Sequence, residues 1–236
     1  MNHWNQLTDI FGAVGDENII PESAADNICI AWPSILACIE RAFPEISNVK
    51  ALDFGCGGGL FCNKLFKMGF EVTGYDESQE LIKSATLNTN DEVTVTGSKS
   101  VMIKKGKYDV VSSIMVLQFI EDIDLAIDSI LSVLKPEGIV IFAVFNPKFI
   151  EDNSNGKVFS GFDNYQSGYM ELKEGYKIPV YNRTESKYRE IFSSRGLEEV
   201  YLDYPAFTKE FLGEHEMPFS TKHSEYQIQG FRYKYT

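Results

Sequence analysis

Residues 53–59 combine an acidic side chain with four glycines, a composition suited to ligand binding. Asp53 stands two places before Gly55, and Gly57 and Gly59 follow at alternate positions. Glycine has no side chain to block the approach of a ligand to backbone N–H groups. A carboxylate beside such a turn would repel a pyrophosphate but attract a cationic amino group. The stretch therefore predicts a turn that binds a ligand carrying an amino group. The alternative is a glycine turn that binds no ligand.

A predicted strand and a predicted helix hold this turn from either side. Residues 49–54 form a short apolar run, and residues 59–68 carry apolar side chains at helical spacing. A strand, a glycine turn and a helix in this order begin a βαβ unit, which binds ligands at the start of the helix. A turn for dinucleotides would have glycine at position 60, where Leu60 stands instead. A dinucleotide-binding oxidoreductase therefore remains only as an alternative.

Asp76 follows the next predicted strand, residues 70–75. It comes about 20 residues after the glycine turn, the separation at which an acidic side chain meets a ribose in nucleotide-binding βαβ units. A carboxylate can accept hydrogen bonds from both ribose hydroxyls at once. We therefore predict that Asp76 binds a ribose, with Glu77 beside it. The alternative is that residues 76–78 only form the turn before the following helix.

The pattern D-x-G-C-G-x-G at residues 53–59 resembles motif I of the class I S-adenosylmethionine-dependent methyltransferases. Two further stretches resemble this family, namely the apolar loop at residues 114–119 and the sequence Leu-Lys-Pro-Glu-Gly at residues 134–138. The resemblance is specific over residues 45–145 and extends over residues 185–235 only by the order of elements. It implies a small-molecule methyltransferase that uses S-adenosylmethionine as cofactor and releases S-adenosylhomocysteine as product.

The resemblance also implies cofactor contacts at the carboxyl ends of the first four strands. The residues concerned are Asp53, Gly55, Cys56, Gly57, Asp76, Glu77, Ser98 and Ile114. Many members of the family place an acidic residue after the third strand, against the adenine amino group. This chain has Gly97, Ser98 and Lys99 there, so the contact falls to the Ser98 hydroxyl or to the backbone. Members that bind a metal carry an aspartate at the end of the fourth strand. Ser112 and Ser113 stand at that place, so no metal is expected.

The order of elements along the whole chain indicates a single α/β domain. Its sheet is predicted to be Rossmann-like, doubly wound and seven-stranded, with an antiparallel last strand, as in that family. The predicted strands are residues 49–54, 70–75, 92–96, 108–113, 139–145, 197–204 and 227–233. The predicted helices are residues 33–43, 59–68, 79–88, 121–134 and 186–195. We expect a turn at residues 135–138 and a solvated loop for the basic run Lys99, Lys104, Lys105 and Lys107. Residues 1–45 would form a helical N-terminal cap, and residues 46–146 the cofactor-binding core.

Two insertions, residues 147–181 and 205–226, are rich in aromatic residues and are expected to form a lid over a small organic acceptor. Both adjoin the edge of the sheet where α/β folds bind ligands. The predicted substrate-binding residues are Gln118, Tyr181, Arg183 and His215. His215 is also the candidate base, ahead of His223, because the unperturbed pKa of histidine lies near neutral pH. The alternative is that both histidines are exposed loop residues.

The composition limits the partners of the chain. A net charge of −12 and a pI of about 4.8 argue against nucleic acid, whose phosphates are bound by Lys and Arg. The four cysteines lack C-x-x-C spacing and suit reduced thiols, and no long apolar stretch or signal-peptide pattern occurs. We therefore expect a cytoplasmic protein with a small-molecule substrate and no membrane partner. The oligomeric state and the acceptor atom (oxygen, nitrogen or carbon) stay open, and a non-catalytic binding protein with this fold is a further alternative.

Overall fold

The computed structural model describes Trp4 and residues 20–162, 166–172 and 175–234 of the chain. Its strands are β1 (Lys50–Phe54), β2 (Glu71–Tyr75), β3 (Thr94–Thr96), β4 (Tyr108–Ile114), β5 (Leu134–Phe145), β6 (Phe159–Ser160), β7 (Ser167–Glu171), β8 (Lys177–Tyr181), β9 (Leu197–Asp203) and β10 (Tyr226–Tyr233). Its α-helices are α1 (Trp32–Ala42), α2 (Leu60–Lys67), α3 (Gln79–Asn88), α4 (Lys99–Lys104), α5 (Ile123–Leu131), α6 (Pro147–Asn153), α7 (Glu185–Ser193) and α8 (Lys209–Glu214). Most of the predicted cap before residue 20, and five residues of the first predicted lid segment, lie outside the described residues.

Seven of these strands form one sheet in the order β3-β2-β1-β4-β5-β10-β9. The strands β1 to β5 are parallel, whereas β10 runs antiparallel to both β5 and β9. This arrangement confirms the predicted Rossmann-like fold and its antiparallel last strand. The strand order reverses between β1 and β4, and sheets of this kind bind ligands outside the carboxyl ends of the strands at that point.

Helices cover both faces of the sheet and bury an apolar core on each. On one face, Ile39 of α1 and Leu65 of α2 are fully buried against the strands. On the other face, α5 and α7 pack over a stack of three rings, Phe142, Phe192 and Phe231. Burial of these side chains provides the main stabilisation of the domain and holds the strand ends in fixed positions.

Strand β5 starts earlier than the sequence predicted. Leu134 pairs with Tyr108, so the predicted turn at residues 135–138 falls inside the strand. The register shifts before Ile139 pairs with Val110, and this irregularity accommodates the extra residues. The Lys-Pro-Glu-Gly sequence at residues 135–138 thus lies within β5, at the point where the pairing with β4 shifts in register.

The basic run that we interpreted as a solvated loop is largely helical. Lys99 and Lys104 lie in α4, and Lys105 ends that helix. Met102 is fully buried and anchors α4 to the protein, while the three lysines stay exposed. The loop interpretation was wrong because a single buried residue in a short helix produces no periodic pattern.

The insertion at residues 147–181 folds into regular structure. It contains α6 and a small antiparallel sheet of β6, β7 and β8. Phe149, Phe159 and Phe162 form its apolar core, and large aromatic side chains supply the buried area that a short segment needs in order to fold. The second insertion, at residues 205–226, contains α8.

The described part of the predicted cap packs close to the loop that follows β4. A π-helical turn at Asn27–Ala31 leads directly into α1. The Trp4 ring lies against Phe119, with 5.1 Å between the ring centres.

Among the residues described, no helix combines the length and the apolar character that a membrane crossing requires.

Candidate functional site

The glycine turn is fastened to the end of the neighbouring strand. The N–H groups of Gly55 and Cys56 both donate to the carbonyl of Tyr75, at 2.7 and 3.0 Å. Gly55, Gly57 and Gly59 have φ angles of 84°, 52° and 83°, in the left-handed region where other residues are strained. The turn therefore lies at the carboxyl edge of the sheet, between β1 and the start of α2.

Protein side chains already exclude a Cβ atom from parts of this turn. A Cβ on Gly55 would lie 2.3 Å from Cγ2 of Val116, and one on Gly59 would lie 2.6 Å from Cγ2 of Thr89. We predicted that the glycines serve the approach of a ligand. At Gly55 and Gly59 the atoms nearest to an added Cβ belong to other protein residues. The contact between Gly55 and Val116 holds the loop after β4 against the glycine turn.

The carboxylate of Asp76 is held against the turn by two backbone donors. Its Oδ2 accepts from the N–H of Gly57 at 3.0 Å, and its Oδ1 accepts from the N–H of Ser78 at 2.8 Å. Burial raises the pKa of this half-buried carboxyl, and the two hydrogen bonds oppose that rise. Each carboxylate oxygen can accept two hydrogen bonds, so one position on each remains. Asp76 thus forms the turn before the following helix, as the alternative interpretation expects. Its carboxylate can still accept the further hydrogen bonds that a ribose contact requires.

Glu77 and Ser98 flank Asp76 on the side of β3. Glu77 is exposed and pairs with Lys99, with 3.6 Å between Oε1 and Nζ. Ser98 is half-buried, and its Oγ lies 2.9 Å from Oγ of Ser100. Both side chains lie near the open edge of the site, and their cofactor contacts stay predictions.

Asp53 lies beneath the glycine turn rather than on its open surface. The residue is only 3% exposed, Ser112 Oγ donates to its Oδ1 at 2.9 Å, and Cys62 Sγ is 3.7 Å from its Oδ2. Burial raises the pKa of Asp53 to about 7, although the bond from Ser112 lowers it in part. A cation brought to the turn would favour the ionised form. If the predicted contact with an amino group forms, ligand binding would be coupled to the loss of a proton from Asp53.

Cys56 fills space between the turn and β2. Its sulfur and that of Cys62 lie 2.9 and 2.8 Å from the point where a Cβ on Gly74 would stand. Both thiols are buried and free. The side chain of Cys56 is thus a packing element, and its predicted cofactor contact stays a prediction.

The loop after β4 is held in an uncommon conformation next to the turn. Ile114 is half-buried at the end of β4. Met115 has a φ of 56°, and its N–H donates to the carbonyl of Ala143 at 2.8 Å. Left-handed backbone is uncommon outside glycine and clusters at functional sites. Pairing with β5 on one side and the Gly55–Val116 contact on the other fix this loop.

Gln118 places a buried amide in the same loop. The residue is 2% exposed, and its Nε2 lies 3.7 Å from Sδ of Met115. Within the described part of the chain, its Oε1 has no hydrogen-bond partner. A buried acceptor without a donor is costly, so this amide is suited to accept a bond from a ligand. The substrate contact of Gln118 stays a prediction.

Arg183, two residues after the first insertion, is hydrogen-bonded to this loop. Its Nη1 donates to the carbonyl of Leu117 at 3.2 Å, and its Nη2 donates to those of Ile120 and Glu121, both at 2.8 Å. The guanidinium carbon lies 5.1 Å from the centre of the Tyr181 ring. These bonds occupy guanidinium donors that would otherwise be available to a substrate. In this structure, Arg183 therefore supports the loop. Direct contacts of Arg183 and Tyr181 with an acceptor stay predictions.

The two histidines of the second insertion have different partners. His215 is half-buried at the end of α8, with its ring centre 4.5 Å from that of Phe211. Nδ1 of His223 lies 2.6 Å from Oδ2 of Asp152 and so joins the second insertion to α6. The role of His215 as a base stays a prediction.

Two carboxyl groups near this edge escaped the sequence analysis. Asp26 precedes the π-helical turn, and Glu225 precedes β10 with only 6% of its surface exposed. Burial raises the pKa of each carboxyl. No local pattern marks the pair, because the two residues stand near opposite ends of the chain.

The described residues hold no group of three or more His, Cys, Asp or Glu side chains arranged to bind a metal ion. At the end of β4, Ser112 donates to Asp53, and Ser113 donates to the carbonyl of Phe54 at 3.0 Å. The expectation that the protein uses no metal stays a prediction.

A known protein family matches the part of the chain that contains the glycine turn, Asp76 and the loop after β4. A family model described as a methyltransferase domain matches residues 33–202. The chain belongs to the methyltransferase domain family. The match begins in α1 and ends in β9, so this methyltransferase domain includes the glycine turn, Asp76 and the first insertion.

Curated relatives of the methyltransferase domain cover its central part. The ubiquinone biosynthesis O-methyltransferase of Bartonella bacilliformis is 30% identical over 129 residues, which are 51% of this chain and 49% of the relative. The protein of the same name from Rickettsia canadensis is 33% identical over 116 residues, or 48% of this chain and 49% of the relative. The matched region thus spans about half the length of these relatives.

Solved structures share the fold over nearly the whole chain. A Listeria monocytogenes protein assigned as an S-adenosylmethionine-dependent methyltransferase superposes with a TM-score of 0.69 and 20% identity, over 88% of this chain and 100% of that chain. Magnesium protoporphyrin IX methyltransferase from Synechocystis, with bound S-adenosylhomocysteine, gives a TM-score of 0.63 and 18% identity, over 98% of this chain and 94% of that chain. At these identities the likeness shows the fold.

Proposed function

We propose that the protein transfers the methyl group of S-adenosylmethionine to an oxygen atom of a small organic molecule. The proposal is carried by one observation, the glycine turn with the Asp76 carboxylate fastened against it at the carboxyl edge of the sheet. Membership of the methyltransferase domain family supports it. The choice of oxygen follows the relatives, which are named O-methyltransferases.

The residues of the site suit the separate parts of S-adenosylmethionine. Asp76 would bind the ribose hydroxyls, and Ser98 would lie on the adenine side. The glycine turn and Ile114 would enclose the methionine part. Asp53, whose pKa is about 7, would compensate the charge of the amino group by giving up its proton. When bound, this cofactor supplies a methyl group that its positively charged sulfur has already activated.

The contribution of the protein would be alignment and the exclusion of water. An acceptor aligned with the bond to be broken reacts far faster than one in solution. The buried amide of Gln118 is suited to orient the acceptor, and the aromatic insertions at residues 147–181 and 205–226 would form a roof that excludes water. A poorly ionised hydroxyl also needs a base, and His215 is the candidate for that role.

The composition of the chain indicates the cellular compartment of the reaction and the kind of substrate. Four free cysteines suit a reducing compartment, so we place the reaction in the cytoplasm. The net charge of −12 favours a small molecule over a nucleic acid as substrate.

Equilibrium dialysis of the purified chain against S-adenosylhomocysteine and against NAD tests the cofactor. Binding of S-adenosylhomocysteine without binding of NAD is expected, and the reverse result would support the oxidoreductase alternative instead. A second assay supplies methyl-labelled S-adenosylmethionine with panels of phenols, catechols, amines and carboxylic acids. Label is expected in a phenol, a catechol or a carboxylic acid, each of which offers an oxygen as acceptor. Label in an amine would contradict the choice of oxygen, and binding with no transfer to any class would favour a non-catalytic protein.

A further inference from the structure

A cavity of about 220 Å³ lies where the end of α1 meets β5, β9 and β10. Its lining includes Cys38, Arg41, Ala42, Ile139, Tyr201 and Arg232. Beside it, α1 and β9 pack closely on β10, because a Cβ on Gly230 would lie 3.2 Å from Sγ of Cys38 and 3.0 Å from Cβ of Tyr201. A water molecule takes up about 30 Å³ in the liquid, so the cavity has room for a small organic molecule.

The cavity and the candidate site lie at opposite ends of β5. Ile139 lines the cavity and pairs with Arg232 of β10. Strand β5 ends six residues further on at Phe145, at the carboxyl edge of the sheet. Six residues of strand span about 20 Å. The cavity is therefore separate from the glycine turn and from the loop after β4.

Two of the five arginines of the chain line this cavity, namely Arg41 and Arg232. The other three are engaged by groups of the protein, since Arg183 binds backbone carbonyls and Arg189 and Arg195 pair with carboxylates. A guanidinium has five N–H donors in a planar fork that matches a carboxylate, so it can bind an anion in addition to a protein partner. Two such groups at one cavity, in a chain with a net charge of −12, favour an anionic ligand there.

The wall of the cavity is largely apolar. Burial raises the pKa of the Cys38 thiol to about 12, and the nearby charges of Arg41 and Arg232 lower it only in part. The thiol is therefore neutral at physiological pH and behaves as a small apolar group. Ile139 is 1% exposed, and Ala42 is half-buried. The cavity thus combines two cations with a surface that suits an apolar group.

The acidic residues near the cavity limit the charge of its ligand. Glu198 is exposed and stands opposite Arg232 in the pairing of β9 with β10, so the two side chains share a face of the sheet. Asp203 is further along β9, where its Oδ2 accepts from Oγ of Ser34 at 2.6 Å, and it is not part of the lining. The two arginines and Glu198 together carry one net positive charge, which a single carboxylate balances.

We propose that this cavity binds a small organic carboxylate. The carboxylate group is held between Arg41 and Arg232, and the apolar part of the ligand packs against α1 and the start of β5. A dianion such as phosphate would bring a second negative charge close to Glu198 and is therefore disfavoured. This inference does not depend on the proposed methyl transfer.

Titration of the full isotope-labelled chain with sodium benzoate, followed by NMR of the backbone amides, tests the site. Benzoate should shift the signals of Ala42, Tyr201 and Gly230 until they saturate, with a Kd on the order of 1 mM for a ligand of this size. Acetate lacks the ring and benzyl alcohol lacks the charge, so each should bind at least about tenfold more weakly. Inorganic phosphate should also bind more weakly than benzoate.

Three variants show whether the arginines hold the ligand. Arg41→Gln changes an exposed residue at the end of α1 and should weaken benzoate binding by at least about tenfold, through the loss of a charge-assisted bond. Lys157→Gln is the matched control, because it removes one exposed positive charge in the first insertion and should keep the wild-type affinity. If Arg41→Gln is not folded by circular dichroism, Arg232→Gln takes its place with the same expected loss.

Four results would overturn the proposal. Benzoate could cause no saturable shifts at the cavity, or shifts confined to the glycine turn and Gln118, which would mean that it binds only at the candidate site. A folded arginine variant could bind benzoate as tightly as the wild type. Acetate, benzyl alcohol or phosphate could bind as tightly as benzoate, which would exclude a site built for an apolar carboxylate.

Discussion

Asp53 and Asp76 show how two carboxylates near one turn are prepared for different tasks. Asp76 is half-buried and meets two backbone N–H groups, so its charge is stabilised while part of its surface stays open. Asp53 is almost fully buried, and its side-chain partners among the described residues are a hydroxyl and a thiol, so burial raises its pKa to about 7. The first carboxylate is suited to accept hydrogen bonds from a ligand, and the second responds to a nearby positive charge.

The variant Asp76→Ala should bind S-adenosylhomocysteine about 10- to 100-fold more weakly than the wild type, because it loses hydrogen bonds to a charged group worth about 1.5–3 kcal/mol. Isothermal titration calorimetry measures the difference. Asp91→Asn is the matched control, since Asp91 is an exposed carboxyl in the turn before β3 with no predicted ligand contact, and it should change affinity little. Wild-type affinity in a folded Asp76→Ala protein would show that Asp76 only forms the turn.

The variant Asp53→Asn should gain stability relative to the wild type as the pH rises. The wild-type carboxyl has a folded-state pKa of about 7, so it binds a proton in the folded state that an unfolded chain has released above about pH 4. Its contribution is therefore lost between these values. The stability difference in favour of the variant should grow by up to about 2–3 kcal/mol between about pH 5 and about pH 8.

Chemical denaturation at both pH values measures this difference. Glu92→Gln, which removes an exposed carboxyl before β3, should show no such growth. An equal growth in both variants would mean that Asp53 is not the group that titrates.

At the scale of elements, the glycine turn and the loop after β4 are locked together. Val116 occupies the space that a side chain on Gly55 would need. Arg183 holds the far end of the same loop by its bonds to the carbonyls of Leu117 and Ile120. The glycine turn, the loop after β4 and the segment that follows the first insertion are therefore in contact, and a change in one should be detected in the others.

Gly55→Ala should destabilise the protein more than Gly106→Ala. Both glycines have positive φ, 84° and 103°, so each substitution carries a backbone cost of about 1–2 kcal/mol. Only Gly55 has a neighbour in the way, because nothing lies within 4 Å of a Cβ on Gly106. Overpacking should add about 1–3 kcal/mol for Gly55→Ala.

Urea denaturation of the two single variants and of Gly55→Ala with Val116→Ala checks this contact. The double variant should recover part of the loss, because the shorter side chain makes room. Equal destabilisation by Gly55→Ala and Gly106→Ala would contradict the proposed lock.

At the scale of the whole molecule, polar contacts join the two insertions to each other. Nδ1 of His223 meets Asp152 at 2.6 Å. Asn153 donates to the carbonyl of Ser220 at 3.1 Å and accepts from its N–H at 2.7 Å. These contacts join α6 to the second insertion, so a movement of one insertion should carry the other with it.

Saturation with S-adenosylhomocysteine should slow amide hydrogen exchange in residues 147–181 and in residues 205–226 together, because a roof over a ligand opens less often when the ligand is bound. Helix α5 lies in the packed layer on a face of the sheet and serves as the internal control, with unchanged exchange expected. Slowing in only one insertion would contradict their coupling. Unchanged exchange in both would contradict the lid.

Local patterns in the sequence were sufficient to predict the order of the main elements and the positions of the glycine turn and Asp76 at the ends of β1 and β2. Strand, glycine turn and helix follow one another within residues 49–68, and Asp76 ends the next strand, so their positions depend on near neighbours in the chain. The alternation of strands and helices then determined the sheet, because parallel strands with helical connections bring their carboxyl ends to one edge.

Only the tertiary structure decided which distant residues meet at that edge. The contact between Gly55 and Val116 joins residues that no local pattern relates. The burial of Gln118 and the depth of Asp53 likewise depend on what several elements place around them. Hydrophobic periodicity and turn signals describe one segment at a time, whereas these contacts arise when the packing of the sheet brings separate segments together.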